Sequence, residues 1–459
     1  MNSILILGAG MVANPIVRYL LEKRFSVTIA SNTPDRAAEM IAGSPNGKVV
    51  DWAADDESFL ERMVYEHDLT VSLLPHQFHV MVARHCLVQK KNMVTTSYVK
   101  PEMRALDVDA KKAGVLLLNE IGLDPGIDHM SAMRIIDHIH STGGAVLEFY
   151  SICGALPAPE AADNPFRYKF SWSPKGVVMA SNNDALYLQN GKQVAVPSKD
   201  LFKNPFPVGL PHVGILEVYP NRDSLMYQSL YGIPEAQTLF RGTFRYPGWC
   251  EALDLIKQLN LISQDIIDMT GMTYADMVLN QLKKIYPHSA GMIKKQTNGK
   301  TEMIKQLISK HLSISDTSQA FRALKWLGLF NDVPMNRQRD STFEVTSDLM
   351  LARMNMRPKE RDMVVMQHTF LAGYSDGRKE VIRSRMIDFG IPEGDTAVAR
   401  TVSLPAAIAV EMILNKTIQV KGIHIPVIPG IYKPVLNHLE RLGIRMIEEF
   451  GLPLTENIK

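Results

Sequence analysis

The sequence predicts an α/β protein: a doubly wound parallel sheet, a second mixed α/β domain and a small all-helical insertion. Three observations carry that expectation. Over roughly the first 120 residues, short β-prone apolar runs alternate with helical stretches. The first of those runs leads straight into glycines and then a helix. From about Gly248 to Thr346 the alternation gives way to helical periodicity alone.

Taken in order, Ser3–Leu7 is a buried strand by composition, followed by Gly8-Ala9-Gly10-Met11-Val12-Ala13 and a helical segment, Pro15–Lys23. Strand, G-x-G-x-x-A, helix is the context that gives this motif meaning. Gly8 permits the tight turn, Gly10 lets a pyrophosphate reach the backbone, and Ala13 leaves room for close helix–strand packing. Free N–H groups and positive potential at the helix start complete a dinucleotide site of the Rossmann type. The second strand, Ser26–Ala30, ends in Ser31-Asn32-Thr33, where an acid would grip the ribose of NAD. No carboxylate there repels a 2′-phosphate, and Arg36 lies one helical turn away, which favours NADP; Asp35 keeps NAD open. Val49-Val50-Asp51 reads as a third strand ending in an acid that meets the adenine. Asp68–Leu74, Met93–Tyr98 and Val115–Leu118 follow as strands, with helices at Asp56–Glu66, His79–Lys90 and Pro101–Ala113 between them.

The stretch Asn119–His129, NEIGLDPGIDH, lies at the carboxyl end of the sixth strand. Pro125 disfavours helical geometry at Asp124, and Gly122 and Gly126 admit dihedrals closed to other residues. The expectation is a held loop where open α/β sheets place their ligands, with Asp124 as its acid. Thr95, Thr96, Ser97 and Tyr98 arrive beside it from strand five, a hydroxyl-rich cluster suited to a nicotinamide ribose or a substrate. A turn with Asp128 as helix cap is the plainer alternative.

Beyond a helix at Ile127–Thr142, Val146–Ile152 is a strand ending at Cys153, and Asn164–Gly176 is aromatic and basic. Arg222, in Tyr219–Ser224, and Arg241 and Arg245, in Phe240–Tyr246, sit beside Asn, Thr and Tyr, a pattern that suits carboxylate recognition. Surface ion pairs are the other use for such arginines. Apolar faces recur at Val278, Leu282 and Ile285, at Ile304, Leu307 and Ile308, and at Phe321, Leu324 and Leu327 before a capping Gly328. Lys283, Lys284, Lys294, Lys295, Lys300, Lys305 and Lys310 read as a solvated helical face. Strands return at Asp362–Phe370 and Glu380–Asp388, then a helix at Ala397–Leu414, a β-like Ile423–Ile428 and a helix at Tyr432–Leu442. The domains expected are 1–125 with a C-terminal return at about 395–459, then 126–247 with 347–394, and the helical insertion 248–346.

Bulk properties narrow the function. Among 459 residues, 50 basic and 48 acidic side chains leave a net +2, giving no electrostatic case for nucleic acid. Cys86, Cys153 and Cys250 are odd in number and lack metal-ligand spacing, which argues against a disulfide framework or a metal and for a reducing cytosol. The N-terminus has no basic leader, and the apolar Leu404–Leu414 contains Glu411 and is too short to span a bilayer. A soluble, cytoplasmic protein without membrane partners is expected.

Several stretches then carry a resemblance. GAGMVANP, VSLLPHQFH, VTTSYVKPEM, NEIGLDPGIDH, CGALPAPEAADNPFRYKFSWSPKG, YPNRDS, RGTFRYPG, RDMVVMQHTF and AVARTVSLPAAIAVEMIL resemble saccharopine dehydrogenases of the glutamate-forming type, in order and over nearly the whole chain. The resemblance implies a homodimeric oxidoreductase of lysine metabolism that joins glutamate and α-aminoadipate semialdehyde through an imine, reduced by NADPH to saccharopine. It places pyrophosphate at Gly8, Gly10, Met11, Val12 and Ala13, and adenosine at Ser31, Asn32, Thr33 and Asp51. Thr95, Thr96, Leu123, Asp124, Pro125 and Ser173 would follow the nicotinamide half. Saccharopine would touch Ser97, Tyr98, Asp124, Arg222, Thr243, Phe244 and Arg245. Asp124 and Tyr98 would act on the amine, with Cys153 nearby and ranked below Asp124. Two departures stand out: Asn32 where the family commonly has arginine, and Lys100 in place of a small residue. Asn32 bears on the preference for NADP over NAD, and Lys100 keeps open an enzyme like carboxynorspermidine dehydrogenase that couples another amine to an aldehyde; a non-catalytic nicotinamide-binding sensor is an alternative from another class.

Overall fold

A computed structural model describes residues 2–289 and 299–458. Lys294 and Lys295 lie outside them. The chain forms two compact units, one of residues 1–151, 227–236 and 363–459, the other of residues 152–226 and 237–362.

The first unit is organised on a parallel sheet. Its strands in chain order are β1 (Ser3–Leu7), β2 (Ser26–Ser31), β3 (Gly47–Asp51), β4 (Leu69–Ser72), β5 (Asn92–Thr95) and β6 (Leu116–Leu118). A seventh, Gly422–His424, arrives from the far end of the chain and pairs in parallel with β6. The spatial order is Gly422–His424, β6, β5, β4, β1, β2, β3. Order reverses at β1, so the carboxyl ends of β1, β2 and β4 flank the crevice where such sheets bind ligands. Ile4, Leu5, Ile6 and Leu7 are all fully buried, as expected for a strand with helices on both faces.

Helices fill the intervals at Asn14–Glu22, Pro34–Ile41, Glu57–Glu66 and His79–Val88. The expected single helix Pro101–Ala113 is two, Pro101–Arg104 and Asp107–Ala113, with Ala105 and Leu106 between. Helical periodicity in the sequence runs on unbroken, so the break left no signal. β6 starts one residue into its apolar run, at Leu116, and the strand Gly422–His424 ends four residues before Ile428. The eighteen-residue helix Ala397–Leu414 has a mean hydropathy of 1.6 and is long and apolar enough to cross a membrane, yet 72% of it is buried in the protein. It extends seven residues ahead of the apolar stretch read from Leu404, and it packs on Asn14–Glu22, with Ser403 Oγ donating to the Val12 carbonyl. An antiparallel ladder of Asp362–Tyr374, Lys379–Phe389 and Ile447–Leu452 completes this unit.

In the second unit Phe206–Leu210, Gly214–Pro220 and Thr238–Arg245 run antiparallel, with the hairpin Ala185–Gln189/Lys192–Val196 beside them. The strand Gly144–Pro157 begins in the first unit and ends in the second, continuing four residues beyond Cys153. The helical segment holds Trp249–Gln258, Tyr274–Ile285, Lys300–Leu312, Gln319–Leu327 and Thr342–Arg353. A three-residue ribbon, Ile266–Asp268 with Arg339–Ser341, lies within it, too short to interrupt the periodic pattern. Ile304, Leu307, Phe321, Leu324 and Leu327 are buried as their spacing predicts, and Gly328 closes its helix at φ 96°.

Candidate active site

The dinucleotide loop follows directly from β1. Gly8 takes φ 101°, and its N–H donates to the Ala30 carbonyl at 2.8 Å. A Cβ at Gly8 would press to 3.2 Å from the Leu73 carbonyl oxygen, whereas one at Gly10 would meet nothing within 4 Å. That open space above Gly10 is a cradle of the kind a pyrophosphate needs. Ala13, fully buried, is the N-cap of Asn14–Glu22; no side chain caps this helix, and its first turn has no acid. Free N–H groups therefore face the loop. Met11 is 47% exposed beside it.

At the adenosine end Ser31 lies opposite Asp51 on β3, and its Oγ is 2.9 Å from Thr33 Oγ1. Thr33 is the N-cap of Pro34–Ile41, again without a side-chain cap. Asn32, Asp51 and Arg36 are exposed. Two hydroxyls, an uncapped helix start and Arg36 make a polar seat without a carboxylate at Ser31–Thr33, which fits a ribose 2′-phosphate. This unit therefore fits NADP.

The carboxyl ends of β5 and β6 bring Tyr98 and Asp124 together: the Tyr98 hydroxyl donates to Asp124 Oδ1 at 2.8 Å. The loop holding Asp124 is tied by backbone bonds, Gly122 N–H to Pro125 O at 3.0 Å and Ile127 N–H to Gly122 O at 2.8 Å. The Asp124–Pro125 peptide is cis, and Gly126 takes φ 145°. A side chain at Gly126 would land on the backbone of Gly122. Asp128 is not the helix cap that the sequence suggested. The helix starts at Ile127 with Gly126 as N-cap, and Asp128 Oδ1 instead accepts the Gly126 N–H at 2.6 Å. Leu123 and Pro125 are buried, and Thr96 presses against the Gly122 position.

Three buried side chains near this pair, Glu120, His129 and His79, were not singled out in the sequence. Glu120, with a positive φ of 57°, accepts the Val99 N–H through Oε1 at 2.8 Å, and its Oε2 lies 2.7 Å from His129 Nε2. His129 Nδ1 is in turn 2.7 Å from the Tyr231 hydroxyl. His79 bridges β4 and β5: Nδ1 is 2.8 Å from Ser72 Oγ, and Nε2 is 2.8 Å from Ser97 Oγ and 3.5 Å from Thr95 Oγ1. Burial, with His76 and Lys100 adding positive charge nearby, pulls the His79 pKa down to about 4. Both histidines sit inside stretches singled out earlier, VSLLPHQFH and NEIGLDPGIDH, so an inventory of titratable side chains in them would have found both.

The second unit holds Cys153, Ser173, Arg222, Thr243, Phe244 and Arg245. Arg245 is 5% exposed, with its guanidinium 5.0 Å from the Tyr168 ring, 5.4 Å from Trp249 and 6.0 Å from Tyr219. Nη1 donates to the Phe244 carbonyl at 2.8 Å, and the buried Nε has no partner. Across the strand pair stands Glu217, which accepts the Cys250 N–H at 2.8 Å and whose pKa burial raises. Arg245 thus has aromatic walls and, among the described residues, no carboxylate. A buried guanidinium with an open donor is a seat for an anion. The other residues sit differently. Arg222 is exposed at φ 53°. Ser173, also exposed, caps Pro174–Ala180 by accepting the Gly176 N–H at 3.3 Å. Phe244 is fully buried, Thr243 half-buried, and Cys153 9% exposed.

Residues 4–118 match the saccharopine dehydrogenase NADP binding domain, and residues 122–444 match the saccharopine dehydrogenase C-terminal domain. The chain belongs to the saccharopine dehydrogenase family. It is 37% identical to saccharopine dehydrogenase [NADP(+), L-glutamate-forming] of Schizosaccharomyces pombe, over 98% of this chain and 99% of that one. Identity to the bovine mitochondrial alpha-aminoadipic semialdehyde synthase is 36%, over 96% of this chain but 47% of that longer protein. The apo histidine-tagged saccharopine dehydrogenase (L-Glu forming) from Saccharomyces cerevisiae superposes with a TM-score of 0.88 at 33% identity, covering 98% of this chain and all of that one. Membership covers both units, so the family's dinucleotide loop and its C-terminal domain are present in one chain.

Proposed function

We propose that this chain is an L-glutamate-forming, NADP-linked saccharopine dehydrogenase: it reversibly condenses L-glutamate with α-aminoadipate semialdehyde to saccharopine. The observation that carries the reading is end-to-end similarity to relatives of that name, 37% identical over 98% of the chain. The geometry supplies reasons of its own. Saccharopine has three carboxylates and a secondary amine. When hydride leaves the carbon next to that amine, the C–N bond becomes an iminium, and water then releases glutamate and the aldehyde. Bound NADP supplies the acceptor for that hydride, or as NADPH the donor in the other direction.

In this reading Asp124, held in its loop and hydrogen-bonded by Tyr98, lies near the amine. Its negative charge stabilises the cation that develops there. Tyr98 fixes the carboxylate and passes a proton between amine and solvent. Arg245, walled by aromatic rings with an unused donor, anchors a substrate carboxylate. Cys153, a buried free thiol, forms no covalent intermediate in this reading. Arg222 and Thr243 add further polar contacts to the carboxylates. The three cysteines are free and buried, which suits a reducing cytoplasm, and a homodimer is the assembly carried over from the family.

The test is nicotinamide absorbance on mixing purified protein with saccharopine and either NADP or NAD, repeated for Asp124→Ala and Arg245→Ala. Turnover that prefers NADP and collapses in both variants is expected. Cofactor binding with no saccharopine turnover would reject the reading and point to other amine–aldehyde pairs.

A further inference from the structure

His79 is 4% exposed, so its ring does not reach a ligand directly. It reaches Ser97 instead. A neutral imidazole has one donor and one acceptor nitrogen, so the chain Ser72–His79–Ser97 runs in only one of two directions. If Nδ1 carried the proton it would donate to Ser72 Oγ, and the Ser72 hydroxyl proton would need another acceptor. Ser72 is fully buried, and among the described residues its Oγ contacts only His79 Nδ1. A buried hydroxyl proton without an acceptor is unfavourable, so Ser72 donates to Nδ1. Nε2 then carries the hydrogen and donates it to Ser97 Oγ at 2.8 Å. With one of its lone pairs taken by His79, Ser97 keeps its own proton to give away. Its backbone N–H points to Thr95 Oγ1 at 3.4 Å, and the side chain is half-buried, within reach of a ligand.

We propose that His79 is a positioning residue: it fixes the hydroxyl rotor of Ser97 so that Ser97 donates its proton to a carboxylate oxygen of the bound amino-acid substrate. The inference rests on the reading of Ser97 as a substrate contact. The arrangement requires a neutral ring, because a doubly protonated imidazole would force Ser72 to accept and reverse the chain. Burial beside His76 and Lys100 disfavours that second proton.

Two measurements test this. The first is a double-mutant cycle with Ser97→Ala, His79→Gln and the pair, assayed with saccharopine and NADP. Each single variant is expected to raise KM for saccharopine about tenfold with kcat and the KM for NADP nearly unchanged, and the pair should be no worse than Ser97→Ala alone. Additive effects, or a loss confined to kcat or to NADP, would overturn the proposal. The second is nitrogen NMR of histidine-labelled protein, with His79→Gln used for assignment; it should show the Nε2–H tautomer. An Nδ1–H tautomer would overturn the rotor argument even if turnover is normal. Absence of saccharopine turnover in the unsubstituted chain would instead reject the substrate reading, and the tautomer would still decide the rotor.

Discussion

Arg245 pairs an aromatic enclosure with an unpartnered Nε, and that combination sets what its replacement should do. Arg245→Met keeps much of the packing but removes the charge. A lost charge-assisted bond of about 2 kcal/mol corresponds to a KM for saccharopine roughly thirtyfold higher, with the Kd for NADP unchanged. Steady-state kinetics with fluorescence titration of cofactor would check both. Exposed Arg222 should cost less than about fivefold on the same assay, since a solvated contact contributes little. His79 carries a pH signature. Its folded pKa near 4 lies below the ordinary 6.5, so the unfolded chain takes up a proton first as pH falls. The contribution is therefore complete above pH 6.5 and is lost as pH drops toward 4. Between pH 7 and 5 that amounts to about 2 kcal/mol, and His79→Gln should flatten the loss in urea titrations. At this scale side-chain type and sequence neighbours singled out Tyr98, Asp124 and Arg245; the first two meet in a hydrogen bond and the third is buried among aromatic rings. Glu120, His129 and His79 stood inside the stretches singled out, but their roles were not legible there, because those roles come from partners such as Tyr231, 102 residues from His129.

Two glycine substitutions separate folding from binding among the elements. Gly126→Ala places a side chain at φ 145° on the Gly122 backbone. The loop carrying Asp124 could not close, and soluble yield and Tm should fall sharply. Gly10→Ala meets no protein atom. Its Tm without ligand should stay within about 2 °C, whereas NADP affinity should drop at least tenfold, as read by isothermal titration. If Gly10→Ala bound NADP normally, the pyrophosphate assignment would be wrong. Strand–turn–helix order was legible here because the glycine fingerprint and the β-prone runs are local signals. The cap at Gly126 and the break after Arg104 were not, because both depend on where backbone groups find partners.

Two units dense in their own contacts suggest two steps in calorimetry for the molecule as a whole. NADP at about one hundred times its Kd should stabilise only the unit carrying Gly8–Ala13, by about 2.7 kcal/mol. A uniform shift of both steps would show that they melt as one. The C-terminal return to the parallel sheet was legible in outline, since Ile423–Ile428 read as β-like. Its partner was not, because nothing local says that Gly422–His424 completes the edge at β6.

That edge strand makes the order of synthesis matter. A ribosome delivers β1 to β6 early, but the strip that closes their sheet emerges more than 300 residues later. Until then the nascent dinucleotide unit waits with β6 uncovered, a ready template for a wrong strand. Stop codons shortly before Gly422 should therefore yield aggregates rather than a smaller enzyme.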